Sequence, residues 1–241
     1  MFGLGTLVNT GAIILAGIVG RFVGKRLNDR LRDGLNLACG VSVIFLGIAG
    51  AVSGMLERDG DAFTSGRTMF VVFSLLLGAL VGELVNIEGW FERFGVWLRN
   101  KTGNAKDKRF VDGFLTASLT VSIGAMAVVG SIADGIEGDP SILITKAILD
   151  FVIILVMSCS LGIGAIFSAI PVFVFQGTMT LLARLLKPLM TPLALANLSL
   201  IGSILIFCVG LNLVFGKKVR VANLLPSILF AVVFAFLPFS L

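Results

Sequence analysis

The sequence predicts an all-α, polytopic transmembrane helix bundle. Of its 241 residues, 57% are hydrophobic and 14% are charged, and the mean hydropathy is +1.04, a composition far more apolar than that of soluble domains. Apolar runs recur along the whole chain, each long enough to cross a hydrocarbon core of about 30 Å as a helix of roughly 20 residues. Runs such as 71–81 and 224–237 are nearly continuous rather than alternating, which argues against a transmembrane β-barrel. We therefore expect one integral membrane domain over residues 1–241.

The apolar runs predict eight spans. They cover residues 4–23, 35–55, 68–86, 112–133, 141–160, 165–184, 194–215 and 222–240. We group them into a first three-helix unit, an interfacial helix with its loop, central helices and a second three-helix unit, at 1–86, 87–109, 110–164 and 165–241. The fifth and sixth spans share one long apolar stretch, and Gly162, Gly164 and Pro171 indicate where it turns or bends. Two full spans and a set of broken helices are both compatible with 141–184.

Basic residues predict the orientation of the spans. Fourteen lysines and arginines follow the first, third and seventh spans: Arg21, Lys25, Arg26, Arg30, Arg32, Arg93, Arg99, Lys101, Lys106, Lys108, Arg109, Lys217, Lys218 and Arg220. Because cytoplasmic loops carry such an excess, we expect a bacterial inner-membrane protein with both termini outside the cytoplasm. Splitting 141–184 into two spans keeps the loop at 217–220 on the cytoplasmic side. The basic residues form no single face, so the expected partner is the lipid bilayer and not nucleic acid.

The segment after the third span predicts an amphipathic helix in the cytoplasmic interface. Ile87, Trp90, Phe91, Phe94 and Leu98 recur at helical spacing, with charged residues on the rest of the turn. Tryptophan suits the headgroup layer because its ring is apolar and its indole N–H needs a polar partner. An ordinary membrane anchor is the simplest interpretation of this helix.

The layout of the chain suggests an inverted repeat of spans 1–3 and 6–8. Asn9, Thr10 and Gly11 in the first span correspond to Gln176, Gly177 and Thr178 in the sixth, and a basic residue follows each. An offset of five spans is odd, so the two copies would have opposite orientations in the membrane. Secondary transporters commonly use this plan and bind their substrate near the midplane between the repeats.

Two ionisable side chains lie deep in the fifth span. Lys146 and Asp150 are four residues apart, which places one above the other on a helix face. Charges at such a depth usually face a bundle interior or a wet cavity. The pair could be a proton or cation relay or could bind a substrate charge. Alternatively, it is a structural ion pair in which Lys146 lies near the outer surface and its ammonium snorkels.

The other candidate binding residues are polar or small. Hydroxyls line the first half of the fourth span, where Gly124 could allow local unwinding that frees backbone groups for a polar solute; close helix packing explains the same residues. The buried amides of Asn9 and Gln176 need several hydrogen bonds and could be ligands or interhelical contacts. With the charged pair, the predicted substrate or ion site comprises Asp150, Lys146, Ser118, Thr120, Ser122, Gly124, Asn9 and Gln176.

The residues that the sequence lacks weigh against several classes of site. The chain contains no histidine and no tyrosine, which excludes histidine-based metal sites and Ser-His triads. The sequence shows no Walker loop, and its three cysteines lie in apolar segments without zinc spacing. A membrane-embedded aspartyl hydrolase would need a second deep acid beside Asp150, and the predicted spans contain none. We therefore expect no enzyme activity, no cofactor and no metal site.

The middle of the chain resembles a known family. The resemblance is carried by the runs at 8–12, 78–83, 113–119, 123–132, 134–135, 138–139, 145–146, 149–150, 161–164 and 176–177. Together they resemble the YdfK/YqgA-like family, a bacterial family of unknown function. The resemblance implies a multi-spanning inner-membrane protein and brings no established substrate or reaction. At Ala125 the family is expected to have proline, so the resemblance does not predict a fixed kink there.

The leading functional hypothesis is a secondary transporter or ion-coupled carrier for a small solute or cation. Spans four to six would form its site, and Asp150 would carry the charge. A second hypothesis is a non-transporting scaffold or regulator that acts through the basic loops and the interfacial helix. A third is a channel, which needs a continuous pore and hence a possible homo-oligomer with the pore on its axis.

Overall fold

The computed structural model describes residues 3–24, 26–59 and 62–236. These residues form the helices α1 Leu4–Gly24, α2 Asp29–Met55, α3 Thr68–Val85, α4 Ile87–Lys101, α5 Phe110–Ser122, α6 Ala125–Ile136, α7 Ser141–Leu161, α8 Ala169–Leu181, α9 Ala183–Leu186, α10 Pro192–Phe215, α11 Val221–Leu224 and α12 Pro226–Phe234. Short 3-10 helices cover Ile163–Ser168 and Lys187–Leu189. A small antiparallel hairpin, β1 Leu56–Asp59 and β2 Ala62–Ser65, joins α2 to α3.

The predicted helical membrane fold is confirmed. Six helices in the described ranges are long and apolar enough to cross a bilayer: α1, α2, α3, α7, the segment Ile163–Leu181 and α10. The predicted fourth span is the pair α5 and α6, whose axes differ by 63°, and counting it as one span gives seven. The predicted eighth span corresponds to the shorter apolar segment Val221–Phe234, and its end at 237–240 lies outside the described residues. The count of eight therefore stays a prediction.

The long apolar stretch at 141–184 divides where glycine was expected to break it. Helix α7 ends at Leu161, and Gly162 follows with φ 90° and ψ −161°, a conformation open to glycine. The chain then continues as the 3-10 helix and α8. Pro171 lies in the first turn of α8, where its missing N–H removes no helical hydrogen bond. Two separate segments thus replace one long helix.

Glycines set the closest helix pairs. An added Cβ at Gly20 of α1 would lie 2.5 Å from the carbonyl oxygen of Leu155 in α7. In the same way, a Cβ at Gly47 of α2 would lie 2.5 Å from the backbone nitrogen of Phe207 in α10. Because helices in lipid associate through close van der Waals packing, a missing side chain at these points allows the backbones to meet. Close backbone contact therefore joins α1 to α7 and α2 to α10.

Loops that follow alternate spans lie at one end of the bundle, which we call the basic end. It comprises residues 24, 26–28, 86–109, 161–163 and 216–220, and three interactions join these segments to their neighbours. Arg32 Nε donates to the carbonyl of Gly24 at 2.9 Å, and Arg109 Nη1 to the carbonyl of Ser160 at 3.4 Å. Lys217 Nζ lies 2.7 Å from Glu88 Oε1. The structure therefore gathers the basic loops as the charge pattern requires.

The predicted amphipathic helix is present as α4. Its inner face buries Leu98, and Phe94 packs against Phe114 of α5 with ring centroids 5.8 Å apart. Its outer face leaves Trp90 and Trp97 exposed, and the guanidinium of Arg93 lies over the Trp90 ring at 5.5 Å. An exposed aromatic and basic face suits the headgroup layer of a membrane.

Candidate functional site

The candidate site is built around a break between α5 and α6. Helix α5 ends at Ser122, α6 begins at Ala125, and between them Gly124 has φ 146° and ψ 151°. Side chains with a Cβ rarely adopt this conformation, so the glycine permits the break. The family-type proline is absent, and Ala125 does not prevent the bend of 63°. The local unwinding predicted at Gly124 is therefore present without a proline.

The break frees a backbone carbonyl that Lys146 uses. Lys146 Nζ donates to the carbonyl oxygen of Val121 at 2.7 Å and to Asp150 Oδ2 at 2.5 Å. Both side chains are buried, with relative exposures of 6% for Lys146 and 3% for Asp150. The ammonium of Lys146 therefore does not snorkel to the outer surface, and a structural ion pair stays an alternative to a functional one. Its ammonium instead lies at the carboxyl end of α5, where the helix dipole favours a cation.

Asn9 completes the charged cluster from a distant part of the chain. Its Nδ2 donates to Asp150 Oδ2 at 3.0 Å, so the carboxylate accepts from two side chains. Helix α1 brings Asn9 there because it packs parallel to α7, with Gly5 beside Leu143 and Gly24 beside Cys159. The structure thus joins Asn9, Lys146 and Asp150 by direct hydrogen bonds.

Gln176 lies level with Asn9 on the neighbouring helix. Helices α1 and α8 are antiparallel, since Thr6 approaches Thr180 and Gly17 packs against Ile166, and this register places Gln176 opposite Asn9. Gln176 is fully buried. In the described part of the chain, neither polar atom of its side chain has a hydrogen-bond partner, and nor does Asn9 Oδ1.

The predicted hydroxyls divide into two groups. Thr120 Oγ1 donates to the carbonyl of Thr116 at 2.7 Å, a bond within its own helix. The Oγ atoms of Ser118 and Ser122 have no hydrogen-bond partner within the described ranges, and Ser118 is buried. No direct bond between these three hydroxyls and the charged pair is found in the described part of the chain. All three hydroxyls lie on α5, the helix that also supplies the Val121 carbonyl, and stay candidate contacts for a bound solute.

Sequence analysis missed a second buried acid. Asp134 lies between the predicted fourth and fifth spans, but it belongs to α6, is fully buried, and its Oδ2 accepts from the backbone N–H of Gly5 at 3.0 Å. An Asp-Gly pair at the end of an apolar run is typical of a turn, which explains the error. The signal that could have found it is helical spacing with Ser131, because residues three apart share a helix face.

Among the described residues, cavities open at the basic end. One of about 710 Å³ is lined by Arg21, Arg32, Lys106, Asp107 and Arg109, among others. Another of about 680 Å³ lies between α3, α4 and the loop after α10.

The third cavity, of about 250 Å³, runs along α5 and is lined there by Asp112, Thr116 and Leu119. Asp112, Thr116, Thr120 and Gly124 recur at four-residue spacing and share a face of the segment up to the break. The lining of this cavity extends along α5 from the basic end as far as Leu119.

Lys217 lines both the third cavity and the cavity of about 680 Å³. It pairs with Glu88 at 2.7 Å and also with Glu92. Burial alone would lower the pKa of Lys217, but the hydrogen bonds and charges of Glu88 and Glu92 raise it above its ordinary value of 10.5. Because the pKa is raised, the stabilising charge is present at neutral pH and is lost only when pH rises through that pKa.

In the part of the chain that the structure describes, no group of three or more His, Cys, Asp or Glu side chains comes together. The charged cluster offers one carboxylate, one ammonium, one amide and the backbone carbonyl of Val121. This arrangement can exchange an internal cation for a bound one or pass a proton.

Comparison with known proteins places the sequence in a family. The profile of the family described as "Protein of unknown function (DUF554)" matches residues 4–236. The chain belongs to the DUF554 family. This confirms the resemblance that the motifs indicated, and the DUF554 profile spans every site residue named above.

Two relatives extend over nearly the whole chain. "Uncharacterized protein YqgA" of Escherichia coli (strain K12) is 29% identical over 232 residues, which is 95% of this chain and 94% of that protein. "Uncharacterized membrane protein YdfK" of Bacillus subtilis (strain 168) is 29% identical over 225 residues, or 93% of this chain and 92% of that protein. No solved structure matches this chain. Membership of the DUF554 family therefore supports the conclusion that this is a membrane protein. It indicates no activity, so any activity has to be inferred from the candidate site.

Proposed function

We propose that this DUF554 protein is a secondary transporter that moves a small solute or cation across the bacterial inner membrane. The observation that carries the proposal is the buried Lys146–Asp150 pair, attached to a carbonyl that the break in the fourth span frees. Discontinuous helices whose unwound backbone binds ions are a recurrent feature of such transporters. Ionisable groups inside a membrane are costly and usually mark a pathway.

In this proposal Lys146 acts as an internal substitute for a bound cation. Its ammonium neutralises Asp150 and satisfies the carbonyl of Val121 while the site is closed. If Lys146 moves away or loses its proton, both oxygens become available to a cation or to a donor group on a solute. Asn9 holds the carboxylate in place during that exchange. No enzyme activity is part of the proposal.

Packing of the two three-helix units supports an inverted repeat. Each helix of the first unit contacts its proposed counterpart in the antiparallel sense. Thr6 of α1 meets Thr180 of α8, and Gly47 of α2 meets Phe207 of α10. Likewise, Gly82 of α3 packs on the backbone of Asn223 in α11, next to α12. A pseudo-twofold axis in the membrane plane would generate this set of pairs, and rocking about it is a recognised route to alternating access.

Flux measurements in liposomes test the transport proposal. Purified protein is reconstituted with imposed Na⁺, K⁺ or H⁺ gradients and a panel of small metabolites, and uptake is compared with empty liposomes. The double variant Lys146→Gln/Asp150→Asn removes both charges while keeping hydrogen-bonding groups of similar size, so we expect it to fold and to lose uptake by at least about tenfold.

The matched control is Asp139→Asn, the same substitution at an exposed acid in the loop before α7. This control should transport like the unchanged protein. Uptake indistinguishable from empty liposomes across the whole panel would contradict the proposal, and so would a double variant with normal uptake.

The orientation belongs to the same proposal: the basic end faces the cytoplasm and both termini lie outside it. Single cysteines at Lys106 and Asp139, in a chain without Cys39, Cys159 and Cys208, mark the two ends. In intact cells a membrane-impermeant maleimide should label the cysteine at 139 and leave that at 106 unlabelled until the membrane is opened. The reverse pattern would invert the proposed topology.

A scaffold or regulatory role is the second candidate, and the closed contact between Lys146 and Asp150 favours it. A pair held at 2.5 Å and buried on both sides also fits a purely structural role. In that case the cavity lined by Arg21, Arg32 and Arg109 at the basic end would serve a partner instead. Silence in the flux assay, together with one protein that co-purifies in fixed ratio, would favour this alternative.

A further inference from the structure

Three helices meet at a polar junction beyond the Lys146–Asp150 pair. The backbone N–H of Gly5 in α1 donates to Asp134 Oδ2 in α6 at 3.0 Å. Thr6 Oγ1 lies 3.4 Å from Thr180 Oγ1 in α8. An added Cβ at Gly135 of α6 would overlap the carbonyl oxygen of Thr180. These contacts fix α1, α6 and α8 against one another at the end of the bundle away from the basic end.

One helical turn toward the centre of the bundle, the same three helices present a second polar layer. Helix α1 runs inward from Gly5 and Thr6, so Asn9 lies one turn deeper. Helices α6 and α8 run the opposite way, so Ser131 and Gln176 each lie one turn deeper than the contact of Gly135 with Thr180. Asn9, Ser131 and Gln176 are fully buried.

Five polar atoms in these two layers are unpaired. Within the described ranges, Asn9 Oδ1, Ser131 Oγ, Asp134 Oδ1 and both polar side-chain atoms of Gln176 have no hydrogen-bond partner. Buried polar groups in folded proteins are almost always paired with protein groups, water or an ion. Several unpaired atoms on three neighbouring helices therefore need further partners, which water or a bound ion would supply.

The donor set identifies the chemistry of that species. Four of the five atoms are oxygens, and carboxylate, amide and hydroxyl oxygens are the ligands that hard cations prefer. Asp150 is neutralised by Lys146. In the part of the chain that the structure describes, no ion pair involves Asp134, so a bound cation would be the charged partner of its carboxylate. A single carboxylate matches a monovalent cation better than a divalent one.

We propose that the junction of α1, α6 and α8 binds one dehydrated monovalent inorganic cation through Asp134, Asn9, Ser131 and Gln176. The hydroxyls of Thr6 and Thr180 belong to its outer layer. Asn9 connects this site with the charged pair, because its Nδ2 donates to Asp150 while its Oδ1 is free for the cation. The proposal deepens the transport function by naming the class of coupling ion. Only the coupling role of the cation rests on the proposed transport function; binding of the cation does not.

Binding is measurable without any flux. Purified protein in detergent is transferred into choline chloride at neutral pH, and its melting temperature is followed as NaCl, LiCl or KCl replaces choline at constant ionic strength. A ligand that binds only the folded state raises the melting temperature with the logarithm of its concentration above Kd. We expect a rise of several degrees with at least one of the three cations.

Two variants and a control locate the effect. Asp134→Asn removes the charge and should abolish the cation-dependent rise, whereas Asp139→Asn, an exposed acid on the adjoining loop, should retain it. If Asp134→Asn does not fold, Ser131→Ala removes one oxygen ligand at small change in volume. It should require a several-fold higher cation concentration for the same rise.

Three results would overturn the proposal. The first is a melting temperature that is the same in all four salts, and the second is a normal cation-dependent rise in the Asp134→Asn variant. The third is a melting temperature that changes with pH but with none of the cations, which would mean that Asp134 binds a proton instead of a cation. A normal cation-dependent rise without flux in liposomes would contradict the transport function and leave the cation site standing.

Discussion

Asp150→Asn alone is expected to lower the melting temperature of the purified protein by about 10 °C. Removing one partner of a buried ion pair destabilises a protein by about 3–5 kcal/mol, because the other charge stays buried without compensation. In this protein that charge is the ammonium of Lys146, which is 6% exposed and has only the Val121 carbonyl as its other acceptor among the described residues. For a chain of this size roughly 2–4 °C corresponds to 1 kcal/mol.

Lys146→Gln should give a loss of the same order, because it leaves the carboxylate of Asp150 with Asn9 alone. The double variant Lys146→Gln/Asp150→Asn should be more stable than either single variant, since no buried charge is left and the hydrogen bonds can persist. Thermal unfolding of all four proteins in one detergent gives the interaction energy of the pair as a double-mutant cycle. A double variant whose loss equals the sum of the two single losses would show that the side chains do not depend on each other.

The part of the site that the sequence predicted is the part made by neighbours along the chain. Lys146 and Asp150 are one helical turn apart, so their contact follows from helix geometry once the span is recognised. The turn at Gly162 was likewise visible, because conformational freedom is a property of a single residue.

Contacts across the fold could not be predicted in this way. The bond between Asn9 and Asp150 joins residues 141 positions apart, and the sequence showed only that a buried amide needs partners. The use of the Val121 carbonyl depends on the break at Gly124, which frees that atom. Asp134 was misplaced because the next residue is glycine, and local turn propensity prevailed over the packing of α6 against α1 and α8. Burial is decided by such packing and not by propensity.

Gly124→Ala is expected to weaken both the fold and the site. An added Cβ at Gly124 would meet no atom within 4 Å among the described residues, so a loss cannot come from overlap. It would come from the backbone, because φ 146° is strained for any residue with a Cβ, and such strain amounts to about 1–3 kcal/mol. Relaxing that strain would move the end of α5 and the carbonyl that Lys146 binds.

Gly177→Ala is the matched control, because a Cβ there also meets no atom within 4 Å among the described residues, while the residue lies within α8. Alanine in a helix is more favourable than glycine by about 1 kcal/mol, so this control should melt at the same or a slightly higher temperature. Gly124→Ala should melt several degrees lower and show reduced uptake in liposomes. Equal melting temperatures and equal uptake for the two variants would mean that the fourth span does not need glycine at position 124. The contact between Lys146 and the Val121 carbonyl would then not depend on the conformation of Gly124.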